Sequence, residues 1–184
     1  MVKIITAIFT LLFISGNELY GEMINRYGTT AANFLEIGVG SGPSAMGEAY
    51  VAVASDLTSI YWNPAGLANV NRPSAMFALQ PWVANIDMLF AAGAMAIPNI
   101  GTLGLGITQV SYGEQEVTTL QYQDGTGEYF TANDLAATVT FSRKLVSWFS
   151  FGSSLKYINS SIWHSSATAF AVDLGVQVST DFFS

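Results

Sequence analysis

The chain has 184 residues, a formal net charge of −7, no cysteine, 51% hydrophobic residues and only 10% charged ones. A soluble domain carries about 25% charged residues, so this surface is not ordinarily solvated throughout. No basic cluster exists to hold nucleic acid, and the lack of cysteine excludes disulfides, thiolate nucleophiles, Cys-zinc sites and a lipoprotein anchor.

The first residues have the anatomy of an export signal. Lys3 supplies the positive end, Ile4 to Ile14 is an apolar run of h-region size, and Ser15-Gly16 and Gly21 offer cleavage points. The other reading, a membrane anchor, needs about 20 apolar residues, more than this run holds. A signal peptide over residues 1–21 is expected, and with it export.

Residues 22–43 form an entry segment without clear periodicity. Gly40-Ser41-Gly42-Pro43-Ser44-Ala45 formally matches a dinucleotide fingerprint with Asp56 downstream. No βαβ unit follows, the spacing to the acid is short, and Pro43 spoils the phosphate cradle. Residues 44–70 then run from small side chains through an acidic turn into Tyr61-Trp62-Asn63-Pro64-Ala65-Gly66-Leu67-Ala68. Here Asn63 can cap a short helix whose first residue is Pro64, where a missing N–H costs nothing.

From Ser74 onward the pattern is strand after strand, expected near 74–83, 86–97, 102–112, 133–144, 148–159 and 166–179. The run Met88 to Gly113 holds no charge and is long enough for a membrane helix. Pro98-Asn99-Ile100-Gly101 interrupts it with turn chemistry, so a hairpin is expected. In the later strands alternation is clear: Leu135, Ala137, Val139 and Phe141 oppose Ala136, Thr138, Thr140 and Ser142. Phe149, Phe151, Leu155 and Tyr157 likewise oppose Ser150, Gly152, Ser154 and Lys156. Phe170, Val172, Leu174 and Val176 oppose Ala171, Asp173, Gly175 and Gln177. A soluble sandwich would wet its second face with many charges. Here that face is Ala, Gly, Ser and Thr, with Lys156 and Asp173 as rare charges, which suits a crowded, mildly polar barrel lumen with lipid outside. Trp82, Tyr112, Tyr129, Phe130, Trp148, Tyr157 and Trp163 fall near expected strand ends, as interfacial girdles do. Connections are expected to alternate between short (98–101, 145–147) and longer (113–132, 160–165), the longer ones facing outside the cell.

The compact segment ahead of this meander resembles the outer-membrane barrels of the FadL-like superfamily, and is most similar to the PorV/PorQ family. Ser-Leu-Lys-Tyr at 154–157 and Ala-Val-Asp-Leu-Gly at 171–175 look like that family, and the resemblance covers roughly residues 33–179. It implies that Asn63, Pro64, Ala65 and Gly66, flanked by Met46, Gly47 and Tyr50, form a plug motif packed within the barrel. The small residues Ala45, Gly47, Ala49 and Ala52 would let the plug backbone pass close to the wall.

The expected fold is therefore all-β: an antiparallel up-and-down transmembrane β-barrel, about six strands of it, preceded by a short helical plug-like segment. The expected domains are a signal peptide at 1–21, a plug or hatch at 22–70 and barrel strands at 71–184. Six strands are fewer than the roughly eight needed for closure, so the sequence is expected to be the N-terminal part of a longer barrel. Asp181-Phe182-Phe183-Ser184 is a weak match to a strand-end assembly signal.

No enzyme emerges, and no cofactor or metal site is expected. His164 is the sole histidine and sits in an expected loop. Glu114, Glu116, Asp124 and Glu128 load one connection with negative charge, the ordinary state of a solvated loop. Lys156 and Asp173 lie on the lumen faces of adjacent strands and can pair. The resemblance implies a place in the bacterial outer membrane, in contact with its lipid. It also implies either exported cargo proteins and surface-attachment machinery as partners (type IX-like secretion), or long-chain fatty acids and other hydrophobic small molecules as transported ligands. A soluble exported β-protein is the third possibility.

Overall fold

The computed structural model describes residues 32–179. The expected signal peptide, residues 22–31 of the plug segment and the terminal residues 180–184 lie outside the described residues. Six strands form one sheet in the order of the sequence: β1 Ser74–Pro81, β2 Asp87–Ile97, β3 Gly101–Glu116, β4 Tyr129–Val146, β5 Phe149–Ile162 and β6 Ser165–Val178. Every neighbouring pair is antiparallel, so the sheet is an up-and-down meander. Among the described residues β1 and β6 each pair on one side only.

The charge-free run 88–113 folds as the β2–β3 hairpin. Asn99 takes φ 66° and Gly101 φ 146° at its turn, conformations that Asn and Gly tolerate. Among the described residues no helix is long and apolar enough to cross a membrane.

Two connections differ from expectation. Residues 160–165 are not a longer loop: β5 runs to Ile162, β6 starts at Ser165, and Trp163-His164 alone make the turn. The polar pair Ser160-Ser161 reads as a loop in sequence, beyond the expected strand end at Asn159. Its backbone, however, is laddered to β4 on one side and β6 on the other. Trp163 absorbs the tight reversal at φ 51° and stacks on His164, ring centroids 4.7 Å apart. The β3–β4 ladder also continues past its expected end, through Glu116 opposite Tyr129, which shortens the long connection to 117–128.

The two faces of the sheet differ as the alternation requires. On one, cross-strand rows such as Leu105–Val139–Leu155–Val172 and Leu103–Phe141–Ser153–Leu174 stand in register with no covering layer among the described residues. On the other, the rows Gly104–Thr140–Ser154–Asp173 and Thr102–Ser142–Gly152–Gly175 carry small or polar side chains. The N-terminal segment packs on this second face. Its Phe34, Val39, Leu57, Ile60 and Leu67 meet Met88, Phe90, Val110, Ala136 and Ile158 in one core cluster. Burying a side chain of that size stabilises by about 1.5–3 kcal/mol, so this seat is a principal source of the fold's cohesion.

Candidate functional site

The site is the seat of the N-terminal segment on the sheet. Asp56 Oδ1 accepts from the backbone N–H of Thr58 at 2.9 Å, starting the turn that leads into the helix Ser59–Trp62. A 3-10 helix, Pro64–Asn69, follows at once. Asn63 caps it: its Oδ1 accepts from Ala65 N at 3.1 Å, and Pro64 at the first position gives up no hydrogen bond.

Asn63 does more than cap. Its Nδ2 donates to Val51 O at 3.0 Å and to Val176 O at 3.1 Å, so one buried amide joins the segment's two halves to β6. Ser142 Oγ donates to Ala65 O at 3.0 Å from β4. Gln177 Nε2 donates to Ala52 O and Ala54 O at 3.1 and 2.9 Å, and its Oε1 accepts from Asn69 Nδ2 at 3.0 Å. The buried bonds among these, Ala65 N to Asn63 and Ser142 to Ala65 O, satisfy polar groups that the packing would otherwise strand at a cost.

Glycines make the close approach possible, and they lie on the wall. A Cβ on Gly152 would fall 2.5 Å from Ala65 N, and one on Gly175 would fall 2.9 Å from Pro64 Cδ. On β3, a Cβ at Gly104 would stand 2.6 Å from Leu67 Cδ2 and one at Gly106 2.8 Å from Ile60 Cγ2. Within the segment, a Cβ on Gly66 would collide with the carbonyl of Ala54.

Asn63, Pro64, Ala65 and Gly66 are thus brought together against β4, β5 and β6. Tyr50 joins them indirectly, its ring edge-on to Trp62 at 6.2 Å. Met46 and Gly47 are exposed in the 46–53 turn region, apart from that cluster. Ala45, Ala49 and Ala52 are also exposed rather than pressed to the wall. Lys156 and Asp173 face the seat and form a 2.6 Å ion pair diagonally across β5 and β6. The Lys156 ammonium lies 6.0 Å from the centre of the Tyr61 ring.

Sequence reasoning missed Gln177, Asn69, Ser142 and the wall glycines. Glycine inside a strand pattern is itself a signal of close backbone approach, and Gly104, Gly106, Gly152 and Gly175 carried it.

Tyr61 and Trp62 hold the segment's start. The Tyr61 hydroxyl lies within hydrogen-bond reach of the carbonyls of Leu35 and Ile37, and Trp62 Nε1 donates to Val39 O at 2.9 Å. Burial, with added repulsion from Glu48 and Glu36, pushes the Tyr61 phenol up from 10.0 to about 12. A folded value above the unfolded one means that the phenol stabilises the fold fully below pH 10. That contribution is lost as pH rises from there through about 12. The phenolate difference spectrum of wild type minus Tyr61→Phe is therefore expected to have its midpoint near pH 12. A midpoint at the ordinary tyrosine value would show that Tyr61 is not held in this packing.

Asn63→Ala is expected to cost about 2 kcal/mol, for a lost cap and two lost donated bonds. Asn63→Asp restores only the acceptor and sets a carboxylate against two carbonyls, so it is expected not to rescue. Thermal unfolding of the three proteins checks the order.

Comparison with protein-family models and with curated proteins finds no match to this chain. The fold and its seat define a structural class, an antiparallel six-stranded meander with an N-terminal segment seated on one face.

Proposed function

We propose that this chain is part of an outer-membrane β-barrel of PorV/PorQ type, with the N-terminal segment as its hatch, serving protein secretion or surface attachment. The observation that carries the reading is the uncovered apolar face. Soluble monomers rarely expose contiguous apolar patches beyond a few hundred Å², yet here Phe77, Leu105, Leu155, Phe170, Val172 and Leu174 are all exposed on it. Along β5 the outward row from Phe149 to Tyr157 spans about 26 Å of strand, which at the usual tilt of about 40° covers roughly 20 Å of the apolar band of about 25 Å on membrane barrels. Polar Asn159 and Thr168 stand opposite each other just above it, and Arg143 lies beside Phe151 near its lower edge.

Both free sheet edges fit a barrel in which further strands pair with β1 and β6, since lipid tolerates no open edge. The expected signal peptide agrees with export to that membrane. A plugged lumen under a polar outer loop favours a protein-handling role over a greasy conduit. The 117–128 connection, with Asp124, Glu128 and nearby Glu114 and Glu116, offers protein a polar contact surface.

The test is deletion of the gene. The set of proteins at the cell surface is expected to change, while growth on long-chain fatty acids stays the same. An unchanged surface with impaired growth on fatty acids would overturn the secretion reading and support a FadL-like channel for hydrophobic compounds.

A further inference from the structure

β3 carries an irregularity that the hatch does not explain. Its register on β4 shifts between Ser111 and Glu114, leaving Tyr112 and Gly113 outside the regular pairing. Gly113 takes φ 68°, the left-handed conformation that such a bulge uses. Tyr112 projects on the hatch side, where its hydroxyl donates to Asp134 Oδ2 at 2.6 Å. Beside this pair opens a cavity of about 390 Å³, walled by Ile86, Phe130, Ala132 and Ile162, with Gln115 at its side donating to the backbone carbonyl of Tyr112. Bulges recur beside functional sites because they re-aim a side chain, and apolar pockets of this size with a few convergent polar groups are typical of small-molecule sites.

Among the residues lining the cavity Asp134 alone is charged. Glu114, Glu116 and Asp87, paired with Thr131, Tyr129 and Ser111, project on the other face of the sheet and do not line the cavity. Between residues 73 and 142 the chain has no lysine or arginine. A carboxylate or phosphate headgroup entering here would meet the Asp134 carboxylate with no basic side chain among the lining residues. A protonated amine meets the reverse situation. Asp134 supplies the carboxylate, and the Tyr112 oxygen, having given its own proton to Asp134, keeps lone pairs that accept from an ammonium N–H. The apolar walls take the rest of the molecule.

We propose that this cavity binds a small amphipathic amine, a cationic head at Asp134 and Tyr112 with an apolar body against Ile86, Phe130 and Ile162. The site stands apart from the secretion role and does not require it.

The experiment is calorimetric titration of the protein in lipid nanodiscs at neutral pH, with empty discs as the blank. Three probes share one body and differ in the head: phenylbutylamine, phenylbutanol and phenylbutyrate. The amine is expected to bind about tenfold tighter than the carboxylate or better, with the alcohol between them. Asp134→Asn keeps an acceptor for Tyr112 and is expected to lower amine affinity about tenfold and erase the preference among heads. Phe130→Ala is expected to weaken all three probes alike, because it alters the wall and not the head site. Absence of amine binding, or carboxylate binding as tight as the amine, overturns the proposal in the wild type alone. A preference that survives Asp134→Asn overturns the assignment of the head group.

Discussion

Gly152→Ala is expected to unseat the N-terminal segment, the proposed hatch. The new methyl would lie 2.5 Å from Ala65 N and equally close to Pro64 O, so it collides with backbone and not with a flexible side chain. Pro64 cannot yield easily, because its ring fixes φ and the preceding residue, Asn63, is itself held by three hydrogen bonds. β5 cannot yield easily either, being laddered on both sides by β4 and β6. Overpacking of this kind costs about 1–3 kcal/mol, occasionally more, and here the upper end is expected because both partners are main chain. Gly93→Ala is the control, since its methyl would meet only Ser74 O at an ordinary 3.7 Å. Limited proteolysis should cut residues 44–70 in the Gly152 variant while the strands stay protected, and Gly93→Ala should resemble wild type. Equal behaviour of the two variants would mean that the seat does not hold the hatch as described.

The contrast between Gly152 and Gly93 also marks how far the sequence could be read. Strict alternation in 133–144, 148–159 and 166–179 placed Leu135, Phe151 and Val172 on one face and Thr140, Ser154 and Gly175 on the other. The period of two is a local property and survives without knowledge of the partner strands. Asn63 and Pro64 were legible for the same reason, because a cap is made by neighbours in sequence. What stayed hidden is non-local. Gln177 reaches Ala52 and Ala54 from more than a hundred residues away, and no spacing rule connects them. The small residues Ala45, Ala49 and Ala52 suggested that the hatch makes the close approach, whereas the sheet does so through Gly152 and Gly175. The 160–165 connection was misread because Ser160 and Ser161 have loop chemistry, and only pairing on both sides makes them strand. Tyr112 was visible as a rim aromatic, but its pairing with Asp134 depends on a bulge that single residues do not announce.

Leu155→Arg is expected to block stable membrane insertion, and Val178→Arg to be tolerated. Both side chains stand on the uncovered face and are similarly exposed, 52% and 57%. In water, two exposed positions of this kind would both accept arginine, usually within about 0.5 kcal/mol. In a bilayer, depth separates them. Leu155 is in the middle of the row Leu105–Val139–Leu155–Val172, with apolar rows above and below it. Val178 pairs with Phe149 beside the Ser147-Trp148 turn, at the sheet's rim. Arginine on the lipid face of a barrel costs about 2–4 kcal/mol at the midplane and about 0–1 kcal/mol near the interface. The rim arginine also has Arg143, opposite Phe151 on the same face, as a precedent for charge near that edge. Urea unfolding from lipid vesicles should therefore show a loss of about 2–4 kcal/mol for Leu155→Arg and little for Val178→Arg. Membrane fractionation should show only the first variant leaving the outer membrane. If both variants are equally stable, and the protein stays in solution without detergent, the apolar face is not a lipid face and the barrel reading fails. The same scan carried to Val172→Arg, in register with Leu155 on β6, must repeat the larger loss, because in a barrel depth and not strand identity sets the cost.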